Sequence, residues 1–98
     1  MERFDRNNPN WMEDPNRNFM FLRHAENHLE CLREVRGYLY LRDVYEYLGL
    51  PCSLEIIREK HLNDILWTKN DMFELEIFQQ YDCILIGFLH YEINEVKD

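Results

Sequence analysis

The chain has 98 residues, 46% of them hydrophobic and 14% aromatic, with nineteen acids against eleven Lys and Arg for a formal net charge of −8. That describes one small folded domain and excludes a multidomain enzyme, a collagen-like chain and a low-complexity tail. With only three lysines, the acidic balance also argues against direct binding to nucleic-acid phosphates, which calls for a basic surface.

Residues 1–13 read as an extended N-terminal arm. Asn7-Asn8-Pro9-Asn10 favours a turn over a helix, and Phe4, Trp11 and Met12 are the arm's apolar anchors. One or two of these are expected to pack back on the domain formed by residues 14–98. Asp14-Pro15 opens a helix, since Asp caps free N–H groups and Pro suits the first helical position. Leu22, Ala25, Leu29 and Leu32 recur at helical spacing, with Phe21 and Val35 beside them, while Arg23, Glu26, Glu30 and Arg33 are expected on the opposite face. Gly37 closes this helix after about five turns.

Tyr38 to Leu41 is a short extended piece. Arg42 to Leu48 follows as a second helix, stopped by Gly49 and Pro51, and Ser53 caps a third that runs to Lys60 and buries Ile56 and Ile57. Beyond His61 the apolar period shortens to two. Ile65 and Trp67 share one side of a strand, and Lys69-Asn70-Asp71 forms a turn. Phe73, Leu75 and Ile77 then alternate with Glu74 and Glu76. After a second turn at residues 79–82, Ile84 to Ile93 reads as the most buried strand. The fold class is α+β: one long and one or two short N-terminal helices packed on a three-stranded antiparallel C-terminal sheet, its strands joined as a meander.

The charge is uneven. Residues 1–42 hold seven acids and seven bases, whereas residues 43–98 hold twelve acids and four bases, which accounts for the whole net charge. An acidic face in the second part of the chain is therefore expected. Cys31, Cys52 and Cys83 are odd in number and widely spaced, which points to free thiols and a reducing compartment, so the cytoplasm. The first 18 residues lack the apolar stretch of a leader, and the run from Cys83 to Leu89 is too short to span a bilayer, so no membrane association is expected.

Few residues suggest chemistry. His24, His28 and Cys31 fall within about 60° of one another on the first helix, with His61 or Cys52 as a fourth candidate zinc ligand. The commoner arrangement is two histidines at a core edge and a cysteine acting as a small hydrophobe, so neither metal nor cofactor is expected. No glycine-rich phosphate loop or nucleophile motif occurs, and nothing sets a Cys beside a His and a carboxylate, so catalysis is not expected. Tyr45 and Tyr47, from a cluster with Tyr38 and Tyr40, together with Asp71, Glu74, Glu76 and Asp82, are the candidate partner-binding residues.

The stretch from Arg36 to Pro51, RGYLYLRDVYEYLGLP, preceded by Asn27 and Leu29, resembles a widespread, uncharacterised family of small phage and mobile-element proteins of Gram-positive bacteria. The shared pattern is N-x-L followed by RGYLxLxDVYxxLGLP and a β-rich acidic tail. Arg42 here replaces the family's Asn-type cap before the second helix. The resemblance implies an accessory protein acting inside a bacterial cell. Together with the small size and the acidic second part, it leads to the expectation of a non-enzymatic inhibitor. Its partner would be a host nucleic-acid-handling or defence protein with a basic surface, a CRISPR effector being the concrete case. A virion or assembly component that forms homo-oligomers through the Ile84–Leu89 strand, and a metal-binding module, are the alternatives.

Overall fold

Asp14 and Gly37 bound the long helix α1 (Pro15–Arg36): the Asp14 carboxylate accepts from the Asn16 N–H, and Gly37 takes the left-handed conformation at φ 90° that lets its N–H close on the Arg33 carbonyl. The structure, a computed structural model, describes residues 1–88. Five short strands and two further helices follow in an α+β arrangement: β1 (Glu2–Phe4), ahead of α1, then β2 (Tyr38–Tyr40), α2 (Leu41–Leu48), α3 (Leu54–Glu59), β3 (Leu66–Thr68), β4 (Leu75–Gln79) and β5 (Ile84–Phe88).

The start of α2 explains itself despite Arg42. Asp43, at the third helical position, accepts from the Tyr40 N–H at 2.9 Å and pairs with Arg36 at 2.7 Å, so one carboxylate caps α2 and ties it to the end of α1. Ser53 caps α3 by accepting from the Ile56 N–H. Much of the Arg36–Pro51 stretch is thus a helix end, a strand and a capped helix held by its own ion pair.

The strands do not form the expected meander. β3 pairs antiparallel with β2, Leu39 opposite Trp67, in a two-stranded sheet of its own. The larger sheet has the order β1-β5-β4, all antiparallel, and takes its third strand from the arm: Glu2 lies opposite Ile86, and Phe4 opposite Ile84. The alternating pattern located β3, β4 and β5 to within a few residues, but it missed β1 and carries no information about which strand each one pairs with. β5 is the central strand, buried as expected. The continuation of the expected strand to Ile93 lies outside the described residues.

The core joins both sheets to α1 and α2. Trp67 is fully buried and meets Phe73 edge to face at 4.9 Å, while Phe4 stacks on Phe21 at 5.8 Å and touches Trp11 at 5.6 Å. The turn of the arm seals the end of α2. Asn8 and Asn10 both donate side-chain N–H groups to the Leu48 carbonyl, one of those a helix end leaves without an internal partner. Gly49 is required there twice over. Its φ is 77°, and a Cβ would lie 2.8 Å from the Asn10 amide nitrogen.

Two expectations for α1 need correction. Arg33 is not on the outer face: it is 5% exposed, and its guanidinium donates to the Thr68 and Lys69 carbonyls and to Glu30. It follows Leu29 by four residues and so continues the buried stripe, where carbonyls of the turn after β3 receive its charge. Val35, expected beside that stripe, is 85% exposed. Arg23 and Glu26 also turn inward. Glu26 accepts from the Leu75 N–H at 2.7 Å, and Arg23 reaches the Leu75 carbonyl at 3.5 Å.

Candidate functional cleft

A concavity of about 490 Å³ opens between β1, the α3–β3 connection and the β4–β5 hairpin. Its polar lining is Glu2, Tyr45, Glu59, Lys60, His61 and Glu76, and its apolar floor includes Leu41, Ile65 and Phe88. Glu2 is placed there by the β1–β5 pairing. Its carboxylate accepts from the Lys60 ammonium at 2.7 Å and from the Tyr45 hydroxyl, and the same ammonium lies 5.7 Å from the centre of the Tyr45 ring. Burial by itself would raise the Glu2 carboxyl, but the hydrogen bonds from Lys60 and Tyr45 and the Lys60 charge outweigh it and hold the group below its ordinary value.

Gly87 shapes another part of the lining. It lies opposite Glu76 across the β4–β5 pair, and a Cβ on it would sit 2.8 Å from a Glu76 carboxylate oxygen. The missing side chain lets that carboxylate rest over the strand. Of the basic side chains in the lining, Lys60 has Glu2, and His61 lies 3.5 Å from Asp64. Glu59 and Glu76 have no ion pair among the described residues. The cleft therefore carries surplus negative charge beside an apolar floor. Such a place suits an incoming ammonium or guanidinium on an aliphatic stem.

The same division runs through the molecule. In the neutral part of the chain, Glu2, Asp5, Asp14, Glu26, Glu30 and Glu34 each pair with a base. Glu13 is the exception there; in the acidic part Asp43, Glu46, Asp64 and Asp82 lie beside a base, whereas Glu55, Glu59, Asp71, Glu74 and Glu76 pair with none among the described residues.

The residues expected to bind a partner are scattered. Glu76 is at the cleft and Glu74 is exposed just before β4. Asp71 accepts from the Thr68 N–H and hydroxyl, closing the turn after β3. Asp82 is in the hairpin turn beyond the far end of β4, 3.7 Å from Arg3. The five residues of β4, roughly 17 Å of strand, thus separate Asp82 from Glu74. Tyr45 is 3% exposed and lends its hydroxyl to Glu2 at the cleft, while its position on α2 faces the core. Tyr47 is half-buried and stacks on His28 at 4.5 Å.

His24, His28 and Cys31 are all exposed on α1, and no group of three or more His, Cys, Asp or Glu among the described residues is placed to hold a metal ion. Cys52 is half-buried, and burial followed by the nearby Glu46 charge raises its thiol, which keeps it protonated. Over Ile84–Ile86, β5 is paired on both sides, by β1 and β4, which leaves no free edge there for self-association. Sequence reasoning missed Glu2, Glu59 and Lys60, which come together only through the β1–β5 pairing and the α3–β3 connection. Among the described residues, no helix is long and apolar enough to cross a membrane. No family model, curated protein or solved structure matches the chain.

Proposed function

We propose that this protein is a small non-catalytic inhibitor that seats its acidic cleft on a basic surface of a nucleic-acid-handling or defence protein in a bacterial cell, in the manner of an anti-CRISPR protein. The observation that carries the reading is the pair of carboxylates, Glu59 and Glu76, left without a base in a cleft whose Lys60 and His61 each have an acid. A Lys or Arg side chain of the partner would lay its stem on Leu41, Ile65 and Phe88 and its charge between these acids. The likeness of the Arg36–Pro51 stretch to phage and mobile-element proteins supplies the cellular setting of the proposal.

Tagged protein incubated with host lysate tests it, with captured proteins identified by mass spectrometry at low and high salt. The expected partner binds nucleic acid, is released as salt rises, and is lost from the double variant Glu59→Gln, Glu76→Gln. Partners retained unchanged by that variant would sink the reading.

A further inference from the structure

The outward face of α1 runs opposite to the usual rule. Met20, His24, Asn27, Cys31 and Val35 follow one another at three- and four-residue spacing and lie within about 80° on the side away from the core. Met20 is 67% and Val35 85% exposed. In a chain of net charge −8 this sector holds one exposed carboxylate, Glu34 at its far edge, since Glu26 and Glu30 turn toward Arg23 and Arg33. At one end of the face, Met12, Arg17, Met20, Phe21 and His24 enclose a shallow apolar hollow of about 390 Å³.

We infer that this face is a self-association surface, on which a second copy packs its own α1 antiparallel about a two-fold axis between Ala25 and Glu26. The charges select the occupant and its direction. Arg17 stands at one end of the face and Glu34 at the other, both exposed. Antiparallel packing sets each Arg17 beside the Glu34 of the other copy, whereas parallel packing would oppose like charges and align the helix dipoles. Their present partners are loose, Arg17 at 3.9 Å from Asp14 and Glu34 at 3.7 Å from Arg33, so little is given up. The same register brings Met20 against Cys31 of the second copy and seats its Val35 at the hollow, twice by symmetry.

Sedimentation equilibrium of the full chain from micromolar to millimolar concentration is the first test, with a concentration-dependent dimer expected. Val35→Lys sets an ammonium against the hollow and its Arg17 from a position already open to solvent. It should keep the native circular dichroism and weaken association by about tenfold or more. Under mild oxidation, Met20→Cys should give a disulfide between the introduced thiol and Cys31 of the other copy, mapped by peptide mass. The unaltered chain should not join Cys31 to Cys31, because this register holds those positions about 16 Å apart along the axis, beyond disulfide reach. A monomer at every concentration would overturn the inference and assign the face to a different protein. A dimer indifferent to both substitutions would overturn it as well.

Discussion

The two sides of α1 show opposite uses of polarity. Inward, four polar side chains hold backbone that is not helical: Asn18 both donates to and accepts from the Met12 backbone, Arg23 and Glu26 together do the same for Leu75, and Arg33 takes the Thr68 and Lys69 carbonyls. Outward, Met20 and Val35 are bare apolar side chains. The inner side chains act as a rail on which the arm, the start of β4 and the turn after β3 are seated, because strands and turns this short leave N–H and C=O groups that need partners. Burial on this helix marks where backbone must be satisfied as much as where apolar surface is removed from water.

The largest break in that contrast is Arg33→Ala. It leaves two carbonyls without their donor and a void beneath them, and should cost about 3 kcal/mol, read as a lower urea midpoint. Asn18→Ala removes both bonds to Met12 and should cost about 2 kcal/mol, with faster proteolysis within residues 1–13 than elsewhere.

Glu2→Gln sharpens the comparison through pH. The Glu2 carboxyl titrates below its ordinary value, so its ion pair adds stability above that value and loses it as pH falls through the lowered one. The wild type should therefore lead the variant at neutral pH, and the lead should shrink on acidification; a gap independent of pH would show that Lys60 does not depend on this charge. The smallest effect belongs to the outer side: Val35→Lys should change the unfolding free energy of the isolated chain by no more than about 0.5 kcal/mol.

The ends of α1 were legible because Asp14-Pro15 and Gly37 are local signals whose physics acts within one turn. The positions of β3, β4 and β5 were legible to within a few residues for the same reason, through alternation, whereas β1, three residues long, is too short to show any. Pairing was not, since Glu2 against Ile86 and Leu39 against Trp67 are relations between distant segments that leave no mark on either sequence alone. Arg33 was legible in angle but not in kind. Its spacing from Leu29 places it in the stripe, and only the carbonyls of Thr68 and Lys69, thirty-five and thirty-six positions further on, explain why a charge belongs there. The cleft failed for the former reason: its acids come from β1, the end of α3 and β4, and only Glu76 sat in a segment whose charge pattern drew attention.

The pairing of β1 with β5 also bears on how the chain is made. Glu2 is synthesised before the helices, and its partner Ile86 emerges only after them and the other strands. Contacts within α1, β2 and α2 are close in sequence and can form early, whereas joining β1 to β5 closes a loop that contains most of the fold. During translation Phe4 can already reach Trp11 and Phe21, its near neighbours in the chain, so the arm has somewhere to wait. The order of synthesis thus makes the last-formed sheet the one that completes the acidic cleft, and a nascent chain acquires its proposed binding surface only when nearly all of its described residues have left the ribosome.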